Sequence, residues 1–206
     1  REIDVKINGS ITSKNEEDIK KILDIAKQYD AAVNLDTYMY PASRERNKPF
    51  DEQSRMNPKD AAMAKVLIYK YQMGDIAFEE YRRAIINTIE QYIPENYGYE
   101  RHISCLAGNC SFTINWQGMI RPCVMQSMPQ VNVFDKGFLQ GWETISNETK
   151  KILINEACVS CRYRPICNTC AAAALLETGN YDGIPEYICE YTKEFYRIMK
   201  EGARIC

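Results

Sequence analysis

Ile3, Val5 and Ile7 alternate with Asp4 and Lys6, the period of a strand with one buried face, and Asn8-Gly9 follows as a turn signal. A helix is predicted next. Ser13-x-x-Glu16 has the form of a capping box, and Ile19, Ile22, Leu23 and Ala26 recur at three- and four-residue steps up to Tyr29. A second strand is predicted from Ala32 to Tyr38. Strand, helix and strand over about 36 residues is the length of one right-handed parallel crossover, which does not cover both of its own faces.

From Pro41 to Asn57 the pattern breaks down into polar and charged positions, with Arg44, Glu45, Arg46, Asp51, Glu52 and Arg55 close together. The segment reads as a loop over the sheet end, either solvated or forming a charged lip on a cavity. Asn57 as cap and Pro58 as first helical residue start a helix through Met73, and Gly74 stands at the stop position. Asp75 caps a further helix with Phe78, Tyr81, Ile85, Ile89 and Tyr92 on one core-facing stripe, and Pro94 to Gly98 ends this half.

Apolar alternation returns at Phe112, Ile114 and Trp116, then resumes at Ile120 after Gln117-Gly118, which predicts a hairpin turning near Gly118. Phe138 and Trp142 mark a short amphipathic segment from Gly137 to Asn147. An alanine-rich helix running to Gly179 follows Cys170, and Pro185 opens a last helix with Cys189 in its second turn.

Composition narrows the class. The chain has 206 residues, 45% apolar and 26% charged, which excludes disorder and suits one large or two small folded units. A formal charge of −2 offers no basic surplus for a nucleic-acid backbone, and the longest apolar run, Cys170 to Leu176, is far too short to span a bilayer. Neither a nucleic acid nor a membrane is expected as partner, and the chain reads as cytoplasmic. It begins at Arg1 and opens directly into a strand pattern, which reads as a piece of a longer polypeptide.

The chemistry lies in the cysteines. All nine fall between Cys105 and Cys206. Cys105 and Cys110 precede the predicted hairpin and Cys123 ends it, so folding back would gather three sulfurs. A dense run follows, Cys158-x2-Cys161-x5-Cys167-x2-Cys170, and then Cys189. Sets of four thiolates serve a tetrahedral zinc or an iron-sulfur cluster. The x5 link is shorter than the spacers usual between zinc knuckles, and His102 is the one histidine, so spacing favours iron-sulfur over zinc. Disulfides are a third reading, set against an odd count and a first half like a cytosolic α/β enzyme. His102 reads as a surface residue, Cys206 as a free tail thiol, and Met119, Met125 and Met128 as packing around the hairpin. Arg121, Arg162 and Arg164, beside ligand candidates, either offset cluster charge or face solvent.

The pattern Cys105-x4-Cys110-x7-Gly118-x4-Cys123, then Cys158-x2-Cys161-x5-Cys167-x2-Cys170, then Cys189, resembles the SPASM domain at the C-terminus of many radical S-adenosylmethionine (SAM) enzymes. The resemblance implies an α+β chain: residues 1–100 as the terminal βα units of a partial (β/α) barrel with bridging helices, and residues 101–206 as a small SPASM domain with a β-hairpin. It implies two auxiliary 4Fe-4S clusters, the first on Cys105, Cys110, Cys123 and Cys170, the second on Cys158, Cys161, Cys167 and Cys189. Where the family has three residues between the last two cysteines of the dense run, only Asn168 and Thr169 intervene here. That leaves open whether Cys170 closes the first cluster or one iron stays free.

The family's C-x3-C-x2-C motif, which holds the SAM-cleaving cluster, is absent from these 206 residues. A full-length enzyme with an N-terminal radical SAM portion, a third cluster and SAM itself is therefore implied, and no residue here is assigned a catalytic role. Val124 stands where sulfatase-maturing members carry an acidic base, which argues against formylglycine formation. Tyr38-Met39-Tyr40-Pro41 and Trp116-Gln117-Gly118 look closer to peptide maturases. The implied partners are a precursor peptide or protein and an external electron donor. Competing readings are a stand-alone iron-sulfur electron carrier and a zinc-stabilised interaction module. Because clusters would crosslink distant segments, their loss is expected to unfold the second half.

Overall fold

The computed structural model describes residues 3–39, 54–96, 100–103 and 105–202. Most of the predicted charged loop and Cys206 lie outside the described residues. Helix and strand are mixed along the chain, in keeping with an α+β class.

The first unit is a parallel crossover. Strand β1 (Lys6–Ser10) pairs in parallel with β2 (Ala32–Asp36), Lys6 opposite Ala32 and Ser10 opposite Asp36, with α1 (Ile19–Gln28) between them. β1 starts later than the alternation predicts. Ile3 and Val5 stay exposed, and Asn8-Gly9, predicted as the turn, lies inside the ladder. The reason is register: Gly9 stands opposite Leu35, and a Cβ there would meet the Leu35 side chain at 2.8 Å, so a glycine suits the strand itself. The predicted capping box is replaced as well. Asn15 Oδ1 accepts from the Thr12 backbone N–H at 2.7 Å, and a 3-10 turn at Glu16–Asp18 leads into α1. The Ser13 hydroxyl turns instead to the Ser54 carbonyl.

Helix α2 (Pro58–Glu90) begins as predicted, with Asn57 Oδ1 accepting from the Asp60 N–H at 2.9 Å. It is interrupted at Gly74, whose φ of 75° and ψ of 168° turn the chain before the second stretch. Its first half packs on α1 and β2 through Ile19, Leu23, Leu35, Ala61, Ala64 and Ile68. Full burial of each leucine or isoleucine contributes about 1.5–3 kcal/mol.

Beyond a 3-10 turn at Pro94–Asn96, β3 (Thr113–Ile114) and β4 (Met119–Arg121) form an antiparallel pair. Asn115 Oδ1 accepts from the N–H groups of Gln117 and Met119, and Gly118 takes a φ of 80° beneath the Phe134 ring. Trp116 sits in this turn, 87% exposed. The pattern did not disclose β5 (Val131–Asn132), which pairs with β4 to make three strands and runs into α3 (Val133–Lys136). Helices α4 (Phe138–Thr149), α5 (Glu156–Val159), α6 (Ala171–Thr178) and α7 (Glu186–Glu201) complete the chain.

The last helix returns to the first half. Phe195, Ile198 and Met199 of α7 share a core with Ala62, Val66 and Phe78 of α2, and Ile166 from the dense cysteine run packs at its edge. This shared core holds the cysteine-rich segment against the crossover unit.

Candidate metal centre

Short caps and turns position the sulfurs. Cys105 and Cys110 lie at the two ends of one tight turn, in which the Leu106 carbonyl accepts from the N–H groups of Asn109, Cys110 and Ser111. Gly108, with φ at 68° against the buried Thr149, makes that turn possible. Asn155 caps α5 and so fixes Cys158, whose N–H donates to the Asn155 carbonyl at 3.0 Å. A turn from Cys161 to Arg164 and a 3-10 turn at Arg164–Ile166 carry the chain to Cys167. Cys170 occupies the cap of α6, whose Ala171–Ala174 are all buried. Alanine combines high helix propensity with little bulk, which lets this helix sit deep beside the sulfurs. Cys189 stands where the first turn of α7 passes into the second, its N–H on the Pro185 carbonyl, and Pro185 opens the helix as its N-cap.

All eight cysteines from Cys105 to Cys189 are unpaired thiols. Cys105 and Cys170 are electrostatic neighbours of Cys123, and Cys161 and Cys167 are neighbours of both Cys158 and Cys189. Burial pushes the Cys123 thiol pKa up, and Cys170 and Cys105 add to the shift, while backbone N–H groups of Met125 and Gln126 oppose it. Burial likewise raises Cys158, helped by Cys167 and Cys161 and opposed by Arg164. Cys189 is pushed up to about 11, first by burial and then by Cys167, Cys158 and Cys161. Burial is the main reason that Cys123, Cys158 and Cys189 resist ionising, and a bound cation would oppose it. Among the described residues no group of three or more His, Cys, Asp or Glu side chains is placed so as to hold a metal ion.

What surrounds the sulfurs bears on whether they suit a thiolate-ligated cluster. Arg121 is 6% exposed, and its Nε has no hydrogen-bond partner among the described residues. A buried guanidinium two residues from Cys123 calls for an anion, which thiolates bound to iron would supply. Arg164 is also buried, whereas Arg162 is exposed and lies over the Tyr163 ring at 5.4 Å. Two of the three arginines thus lie inside and one faces solvent. Hydroxyls of Thr169 and Thr192 reach Cys167 Sγ at 3.5 and 3.6 Å. The residues present fit a sulfur-ligated anionic group.

Other candidates fall elsewhere. His102 is exposed, 4.0 Å from Glu100. Met119 and Met125 are half-buried and Met128 is exposed, so packing accounts for two of the three. Val124 is exposed beside Cys123.

Two features escaped the sequence pattern. One is a cavity of about 160 Å³ at the C-terminal end of β2, lined by Asn34, Asp36, Tyr38, Lys65, Asn168 and Thr192 among others. Lys65 Nζ donates to the Leu35 carbonyl at 3.1 Å and lies 3.9 Å from Asp36. The other is a knot in which Glu177 Oε1 accepts from Arg55 Nη2 at 2.8 Å and from the Tyr38 hydroxyl at 3.0 Å. The Arg55 guanidinium lies 3.7 Å from the centre of the Tyr187 ring. Residues 38, 55, 177 and 187 are far apart in the chain, so no spacing rule could have joined them.

Among curated proteins, the chain is similar to the AdoMet-dependent heme synthase of Methanosarcina barkeri, with 24% identity over 191 residues. The match covers 85% of this chain and 53% of that protein, so the chain spans about half the relative's length. AdoMet is S-adenosylmethionine, and the relationship is a distant one. No family model matches the chain, and neither does any solved structure. None of the helices described is long and apolar enough to cross a membrane.

Proposed function

We propose that this chain is the auxiliary-cluster portion of a radical SAM enzyme. It holds one 4Fe-4S cluster on Cys105, Cys110, Cys123 and Cys170 and another on Cys158, Cys161, Cys167 and Cys189, within a SPASM-like domain beside the last units of a partial barrel. The observation that carries the reading is a set of eight unpaired thiols beside buried positive charge, Arg121, whose Nε has no partner among the described residues, and Arg164. The relative's dependence on AdoMet supports the enzyme class.

When bound, such clusters supply one-electron transfer or an open iron for substrate. The chain's own residues do the rest. Thiolates come from the turn at Cys105–Cys110, the end of the hairpin, the dense run and α7. Arg121 and Arg164 offer buried positive charge, and backbone N–H groups of Met125 and Gln126 hold the Cys123 sulfur. Cleavage of SAM belongs to a portion carrying C-x3-C-x2-C, with an external electron donor as a further partner.

For the substrate we propose a ribosomally made precursor peptide, on the strength of the resemblance. A second reading, favoured by the relative's printed name, is a tetrapyrrole. Release of 5′-deoxyadenosine by the full-length enzyme, offered each substrate in turn, separates the two.

The test of the metal reading is anaerobic purification with iron and sulfide analysis. About eight irons per chain with matching sulfide is the expected result, whereas about two zincs without visible absorbance sinks the assignment. Cys189→Ala should lower the content by about four irons and leave the hairpin-linked cluster. Full iron content in that variant would refute the division of ligands.

A further inference from the structure

A threonine inside a helix commonly turns its hydroxyl back to the carbonyl four residues earlier. Three helical threonines of this chain do so: Thr144 to Gln140, Thr149 to Ile145 and Thr178 to Ala174, at 2.7, 2.6 and 2.7 Å. Thr192 on α7 departs from that habit. It is 4% exposed, and its hydroxyl donates to Cys167 Sγ at 3.6 Å. The Thr169 hydroxyl donates to the same sulfur at 3.5 Å. A neutral thiol is a weak acceptor, so two hydroxyls converging on one sulfur suit a thiolate.

The placement is built by the sequence. Cys189 and Thr192 are three residues apart on a helix and so share a face, which brings the hydroxyl to the group that Cys189 belongs to. Thr169 reaches Cys167 from two residues on, within the x2 spacer that distinguishes this chain from the SPASM pattern. Thr192 also lines the cavity at the end of β2, so a molecule seated there would touch the residue that holds Cys167.

We infer that Thr169 and Thr192 are positioning residues that set the reduction potential of the second cluster by hydrogen-bonding the Cys167 thiolate. This rests on the reading of Cys158, Cys161, Cys167 and Cys189 as its ligands. Each hydroxyl draws electron density from the sulfur and so favours the added electron; its removal moves the potential down.

The test is an EPR-monitored redox titration of the reconstituted chain as wild type, Thr192→Val, Thr169→Val, the two valine changes combined, and Thr192→Ser, with iron counted in each. Valine keeps the shape and deletes the donor. The expected result is unchanged iron, one midpoint shifted to more negative potential by either valine and further by both, the other midpoint unmoved, and recovery with serine. Should Thr192→Val fail to fold, Thr192→Ala takes its place as the donor deletion, read against Thr192→Ser, which keeps the hydroxyl. Iron-loaded variants whose midpoints ignore both valines overturn this inference alone. A wild type without iron overturns it together with the reading beneath it.

Discussion

Stripping iron from the reconstituted chain with a chelator will unfold the segment around the cysteines and leave the crossover unit standing. Metal ligation by structural thiolates contributes on the order of 10 kcal/mol to small domains. The segment has little else to hold it. β3, β4 and β5 are two, three and two residues long; apart from α7, which is anchored on α2, the segment buries Ile120 and Ile145 and one small cluster of Ile152, Ile154 and Ala171. By contrast α1, β2 and α2 share a core of six buried side chains, joined by Ile11 and Met56 from the adjoining loops, that contains no cysteine. Trp142 packs against Phe112, with ring centres 5.7 Å apart, and reports on the hairpin, whereas Trp116 is exposed and does not. In a Trp116→Phe background, chelation should shift Trp142 emission to the red and cut far-UV ellipticity by part, not all. Unchanged emission after complete iron removal would show that the clusters do not hold this region.

The second large effect is expected at the knot between the halves. Glu177→Ala should destabilise the protein by about 3 kcal/mol, because it leaves the Arg55 guanidinium without its carboxylate. The two side chains are 17% and 13% exposed, so water screens the loss poorly. The Tyr38 hydroxyl loses its acceptor in the same step. Burial, offset by Arg55, raises the Tyr187 pKa, and its hydroxyl donates to the Met56 carbonyl at 2.8 Å, so the ring stays in place beneath an uncompensated cation. Glu177→Gln keeps an acceptor and loses only the charge, and should cost less. The urea midpoint of each variant checks the order; an Ala variant as stable as wild type would mean the pair is merely a surface contact. Tyr187 lies two residues before Cys189, so the same variants also show whether the knot steadies α7 for the second group of sulfurs.

Much of the local structure around the candidate site was readable before folding was considered, and the reasons are local. Asn57-Pro58 starts α2 because a side-chain acceptor and a pre-set φ act within three residues. Gly118 turns the hairpin because glycine accepts a positive φ. Tight spacings such as Cys158-x2-Cys161 force sulfurs together through one turn. Where a local signal failed, a distant partner had intervened. Asn8-Gly9 became strand because Leu35 faced it, and Ser13 left its capping role for Ser54.

By itself the sequence determined the two chemically distinct halves, most of the helices, the Asn57 cap, the hairpin and the sulfur inventory, because spacing and periodicity act over a few bonds. Only the tertiary structure decided the rest. It brought Thr192 to Cys167, buried Arg121 and Arg164 while leaving Arg162 in water, tied Glu177 to Arg55, and opened a cavity between β2 and α7. These depend on which side chains lose water together when α7 packs on α2, a through-space outcome that no pattern along the chain records.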